Sequence, residues 1–204
     1  MIVTKIEPVT KTKFKVYVDE QFAFMLYKGE LLRFHITLEE EISQETIDKI
    51  NKEIILKRVR LRAMHLLNQM DRTEQQLRTK LKQNGYKESM IDQALAYVKS
   101  FGYINDSGYT ERFIMSRMKK KSKKEIYAAL CQKGIDKETI DQAMEECYAE
   151  EDEKEAIKDL IRKKKFDIEN SDYKEKEKIY AYLMRKGFSY ESVRQVLQVS
   201  NWNA

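Results

Sequence analysis

The chain has 204 residues, 36% of them charged, with one Pro, six Gly and a formal net charge of +5. So little Pro and Gly disfavours sandwiches and barrels and favours helices, and no stretch approaches the ~18 consecutive apolar residues of a membrane span. The two cysteines, Cys131 and Cys147, allow at most one bridge and read as reduced thiols of a cytoplasmic protein; the opening Met1-Ile-Val-Thr-Lys lacks a signal-peptide layout.

Residues 1–51 read as a small sheet and lead-in helices. Phe14, Val16 and Val18 alternate with Lys15, Tyr17 and Asp19, and Phe22, Phe24 and Leu26 alternate with Ala23 and Met25. A turn over Asp19–Gln21 would join them, without the usual Asn-Gly or Asp-Gly. With Ile2–Val9 this gives two or three strands, which must pack on helices to be stable. Helices are expected near Lys28–Phe34 and Ser43–Lys57.

The remainder repeats itself. Leu77, Leu81, Gly85, Tyr86, Ile91 and Leu95 are echoed by Ile126, Leu130, Gly134, Ile135, Ile140 and Met144, and again by Ile179, Leu183, Gly187, Phe188, Val193 and Leu197, at offsets of 49 and 53 residues. Apolar residues four apart share a helix face. A left-handed Gly ending that helix lets the next apolar residue fold back, pairing Leu81 with Tyr86, Leu130 with Ile135 and Leu183 with Phe188. Gly85, Gly134 and Gly187 are therefore read as structural, helix-ending residues. Thr73-Glu-Gln-Gln76 and Ser122-Lys-Lys-Glu125 read as capping boxes. The third copy has Glu175 at that place, so its helix is expected to begin near Asp172. Asp136 and Ser189 suit the N-caps of the following helices, and Lys87 does not. Further helical stretches at 52–70, 107–119 and 153–166 complete three-helix units at 52–102, 103–152 and 153–204. The expected fold is mainly α: tandem three-helix repeats in an extended curved array behind the small N-terminal β-hairpin or sheet. Such arrays serve binding more than chemistry.

Charge is uneven. Residues 54–102 carry ten Lys/Arg against four Asp/Glu; residues 103–152 carry nine against eleven, split between a basic Lys119–Lys124 run and an acidic Glu145–Glu155 run. The acidic run reads as a solvated helix face rather than a metal site. No catalytic set stands out: His35 and His65 are thirty residues apart with no zinc-type spacing, and no glycine-rich phosphate loop is present. No metal or cofactor is expected. Trp202 reads as either an anchor for the last helix or a contact residue.

Several ordered motifs resemble the RecX family of recombinase regulators. Leu66-Leu67, Asp71-Arg72-Thr73-Glu74 and Leu77-Arg78-Thr-Lys80-Leu81 are similar to its first-repeat signature; Gly102-Tyr103-Ile104-Asn105-Asp106 with Tyr109, Lys133-Gly134-Ile135 and Gly187-Phe188 follow in family order. Two departures are visible. Thr110 stands where the family often has Ala, and Lys120-Lys121-Ser122 where it often has Gly-Pro before the capping region. The resemblance implies a cytoplasmic, non-enzymatic protein that binds the RecA recombinase filament on single-stranded DNA and inhibits its recombinase, ATPase and coprotease activities. The competing reading is a direct nucleic-acid-binding helical protein, with Arg58, Arg60 and Arg62 among its phosphate contacts; an enzyme with an unrecognised site is the third. Candidate partner or DNA contacts are Arg72, Arg78, Lys80 and Lys82; Lys119, Lys120, Lys121, Lys123 and Lys124; and Lys163, Lys164, Lys165, Arg185 and Lys186. A monomer with no membrane partner is expected.

Overall fold

The computed structural model describes residues 1–197; Trp202 lies outside the described residues. The chain divides into two compact units. The first comprises Met1–Asp71 and Leu77–Ile104; the second comprises residues 72–76 and the described residues from Asn105 onward.

The first unit opens with an antiparallel sheet, β1 (Val3–Pro8), β2 (Lys13–Val18) and β3 (Gln21–Tyr27), in the order β1-β2-β3. Phe14 pairs with Leu26 and Val16 with Phe24. The turn is shorter than the sequence suggests: Asp19 and Glu20 alone form it, both at positive φ (47° and 66°), as a two-residue hairpin requires. Ile2, just before β1, and Thr4 within it hold this strained pair. The Ile2 N–H donates to Asp19 Oδ1 (2.8 Å), and the Glu20 N–H to Thr4 Oγ1 (2.9 Å).

Helix α1 (Lys28–Arg33) follows, then α2 (Gln44–Ile50), a π-helical segment at Asn51–Ile55, and α3 (Leu56–Gln69). The sequence suggests two overlapping helices here; the π segment joins them into a continuous run. Helices α4 (Glu74–Gln83) and α5 (Glu88–Ser100) complete the first repeat. One core serves sheet and helices: Val16, Phe24 and Leu26 are buried together with Val59, Ala63, Leu77, Leu81, Ile91 and Leu95. Full burial of a Leu is worth about 1.5–3 kcal/mol, so the sheet and the first repeat depend on the same residues.

The second unit holds two more three-helix sets: α6 (Asp106–Met115), α7 (Lys123–Gln132) and α8 (Lys137–Cys147), then α9 (Glu150–Lys163), α10 (Tyr173–Arg185) and α11 (Tyr190–Leu197). Each set has its own core. Ile114, Ile126, Leu130, Ile140 and Met144 fill one, and Ile157, Ile179, Leu183, Phe188 and Val193 the other. Ser43, Ser122, Asp136 and Asp172 cap their helices through side-chain oxygens, whereas Lys87 makes no side-chain cap bond. The buried hydroxyl of Thr110 donates to the Asp106 carbonyl at 2.7 Å, so this departure from Ala is satisfied within its own helix.

Candidate functional site

The three repeated glycines have nearly equal backbones, with φ of +82° at Gly85, +80° at Gly134 and +84° at Gly187. The Gly134 N–H donates to Cys131 O and the Ile135 N–H to Leu130 O; Gly187 and Phe188 do the same to Met184 O and Leu183 O. These paired bonds close the last helical turn in the Schellman pattern. Gly102 (φ +69°) ends α5 in the same way, with the Tyr103 N–H donating to Val98 O.

A tertiary contact sits on this local one. The Thr73 hydroxyl accepts the Gln76 N–H (3.2 Å) and donates to the Lys133 carbonyl (2.6 Å), one residue before Gly134. The Ser122 hydroxyl accepts the Glu125 N–H (3.1 Å) and donates to the Lys186 carbonyl (2.7 Å), one residue before Gly187. Both hydroxyl residues are fully buried. A Cβ on Gly134 would lie 2.3 Å from Gln75 Cβ, and one on Gly187 2.9 Å from Lys124 Cβ. Each start of a repeat helix thus grips the glycine end of the next. Sequence reasoning saw the cap and the glycine separately and missed the bond between them. The signal was present: repeats one and two carry a hydroxyl twelve residues before their Gly, and repeat three carries Glu175 there.

The capping boxes differ. Thr73 and Gln76 form both reciprocal bonds. At the second site the sequence suggests the same, but Glu125 directs its carboxylate to Lys121 (3.5 Å) and Lys186 (3.3 Å). This brings two separate sequence candidates, the Lys119–Lys124 run and the Arg185–Lys186 pair, to one place. Lys119 pairs with Glu155 at 3.1 Å, and Lys120, Lys123 and Arg185 are exposed.

The other candidates lie apart from that cluster in the chain and have their own neighbours. Arg78 pairs with Glu88 and with Asp92, Lys82 with Glu88 (3.6 Å), and the Lys80 ammonium donates to Gln83. Arg72 is half-buried just before α4. Lys163 pairs with Asp159 (2.7 Å), Lys164 lies 4.2 Å from the Tyr182 ring centre, and Lys165 ends α9 at φ +53°. Lys163, Lys164 and Lys165 border a surface depression that also takes in Lys178. Of the arginines read as phosphate contacts, Arg58 is held by both oxygens of Glu30, Arg60 lies over Tyr97, and Arg62 donates to Asn84.

One expectation is corrected. The acidic run is not uniformly solvated: Glu153 is 7% exposed and accepts the Ser189 N–H (3.1 Å), the Ser189 hydroxyl (2.6 Å) and the Ser192 hydroxyl (2.8 Å). It fixes the start of α11 on α9, and three donors offset the burial of its charge.

Among the described residues no helix is long and apolar enough to cross a membrane. Three family models match in chain order: the first three-helix domain of RecX over residues 60–97, the second over 105–144 and the third over 150–197. The regulatory protein RecX of Caldanaerobacter subterraneus subsp. tengcongensis is 30% identical over 202 residues, covering 98% of this chain and all of that one. The regulatory protein RecX of Clostridium beijerinckii is 31% identical over 96% of this chain and 93% of its own. A crystal structure of regulatory protein RecX shares the fold at 24% identity and a TM-score of 0.62, covering 97% of this chain and 98% of that one. RecX from Lactobacillus salivarius does so at 24% and 0.60, covering 70% and 94%.

Proposed function

We propose, since the chain belongs to the RecX family, that it is a non-enzymatic regulator that binds the RecA filament on single-stranded DNA and inhibits its recombinase, ATPase and coprotease activities. The observation that carries this reading is the end-to-end similarity to proteins named regulatory protein RecX, with the three domain matches in order. The basic groups support a multi-site mode. One surface charge contact is worth only about 0–1 kcal/mol, but several on one chain act intramolecularly at an effective concentration of about mM. In this proposal the chain works as a cytoplasmic monomer without a cofactor, residues 52–102, 103–152 and 153–204 are its binding modules, and the basic clusters above are the contacts.

The test is to titrate the full chain into RecA, ATP and single-stranded DNA and follow ATP hydrolysis. Hydrolysis should fall saturably, and reversing the charges of Lys119, Lys120, Lys121, Lys123 and Lys124 together should weaken the effect by roughly an order of magnitude. Unchanged hydrolysis at saturation overturns the proposal. Salt separates it from direct nucleic-acid binding. A protein making 6–10 phosphate contacts loses about 10³–10⁵ in affinity between 50 and 200 mM salt, and mixed protein contacts fall less steeply.

A further inference from the structure

We infer that the first unit carries a docking groove for an acidic peptide segment with an apolar anchor, presented by a protein partner. Helix α3 has two working stripes. Leu56, Val59, Ala63 and Leu66 are buried. Arg58, Leu61, Arg62 and His65, at positions i, i+3, i+4 and i+7, form the other stripe and line one wall of an open surface groove. The opposite wall is the sheet, where Lys13 of β2 sits directly across from Tyr27 of β3. Tyr86, just past the end of α4, also lines it.

Three properties point to the occupant. The groove exposes apolar groups that a folded chain normally covers: Leu61 is 67% and Tyr27 43% exposed. Its charged lining residues are Lys13, Arg58 and Arg62; Arg58 is ion-paired with Glu30, so Lys13 and Arg62 are the cations that face an anionic ligand. Burial pushes the Tyr86 phenol up, and the charges of Arg58 and Arg62 pull it the other way. A cationic rim around the exposed Leu61 and Tyr27 fits a segment that lays an apolar side chain against them and flanks it with carboxylates.

The wall is also preorganised. Arg58 is held by both Glu30 oxygens (2.5 and 2.7 Å) and the Met25 carbonyl (2.8 Å), with its guanidinium 4.8 Å from the Tyr27 ring centre. Arg62 donates to Asn84 Oδ1 at 2.8 Å. Such groups lose little freedom on binding. A nucleic-acid strand is the poorer fit. Lys13 and Arg62, with Arg58 already paired to Glu30, fall short of the roughly 6–10 phosphate contacts of a salt-driven binder, and a phosphodiester makes no use of Leu61.

The experiment uses the full chain. A random peptide library of about a dozen residues per member, displayed on phage, is selected on immobilised protein, and the enriched peptides are labelled with fluorescein for anisotropy. The expected consensus is an aromatic or aliphatic residue flanked by Asp or Glu. Leu61→Ser should weaken the peptides roughly tenfold, from the lost apolar burial, and Arg62→Gln, which keeps an amide donor for Asn84, should weaken them by a similar factor. Melting temperatures should stay unchanged, since Leu61 is exposed and packs on nothing in the core. An oligothymidylate should not displace the peptides. A consensus lacking acid or apolar residues, equal binding by both variants, or displacement by the oligonucleotide overturns the inference. The readout needs no recombinase, so its failure and the failure of the regulator proposal are distinguishable.

Discussion

Gly85, Gly134 and Gly187 share one backbone conformation but not one environment, which makes Ala at each a differential test. All three lie near φ +82°, where a Cβ costs roughly 1 kcal/mol. At Gly85 the new methyl would meet only the end of Met25, Cε at 3.4 Å, an ordinary contact that a flexible side chain can ease. At Gly134 it would lie 2.3 Å from Gln75 Cβ and 2.4 Å from Cγ. Those atoms sit close to the backbone of the first turn of α4, so relief requires that turn to move, and overpacking of this kind adds about 1–3 kcal/mol. Gly85→Ala should therefore cost about 1 kcal/mol and Gly134→Ala about 2–4 kcal/mol, with Gly187→Ala between them because its neighbour is 2.9 Å away. Urea unfolding gives the totals. Amide hydrogen exchange gives the location, with loss of protection expected at 73–76 and 130–140 for the Gly134 variant. Equal costs at Gly85 and Gly134 would mean that backbone strain accounts for everything and that the grip of Thr73 and Gln75 on the next repeat is not tight.

Three further outcomes are expected. Ser122→Ala should cost about 2 kcal/mol, combining a lost cap with a lost bond to the Lys186 carbonyl; Ser122→Thr should recover most of it, and a denaturation midpoint unmoved by Ala would discard the junction. Glu153→Gln should destabilise the third repeat by about 1–3 kcal/mol, because an amide cannot accept from both serine hydroxyls and the Ser189 N–H as a carboxylate does; exchange of the α11 amides at the wild-type rate would contradict this. Acid should weaken the start of α8: the Thr139 N–H and hydroxyl hold the Asp136 carboxyl below its ordinary value. A depressed folded value means the contribution is present above the unfolded value and fades as pH falls through the folded one. Asp136→Asn should flatten that part of the acid limb in a pH series of melting temperatures, and an identical limb in both proteins would exclude the assignment.

Much of the helical layout was legible because its signals are local. A hydroxyl or Asp before an amphipathic run marks a start, and Gly followed by an apolar residue marks an end; Ser122, Asp136, Asp172, Gly134 and Gly187 all follow that logic. What a window of ten residues cannot hold stayed hidden. The acceptors of Thr73 and Ser122 are 60 and 64 residues away. Glu153 sits in an acidic run whose composition says solvent, and only the approach of Ser189 and Ser192 makes burial tolerable. The π segment at Asn51–Ile55 leaves no break in the apolar pattern, so two helices were expected where one run continues. The basic clusters were visible as charge, but the sharing of Glu125 by Lys121 and Lys186 depends on two repeats packing together.

The long reach of the two capping hydroxyls bears on how the chain is made. A ribosome releases Ser122 well before Lys186, and until the later carbonyl arrives the hydroxyl has water as its acceptor. Burying it early would strand its hydroxyl hydrogen at a cost of about 1–3 kcal/mol, so the junction face around Ser122 is expected to stay open to water until the third repeat is made. The same delay separates Thr73 from Lys133. Each of the first two repeats meets its acceptor only in its successor, so the Thr73 junction is expected to become available before the Ser122 junction.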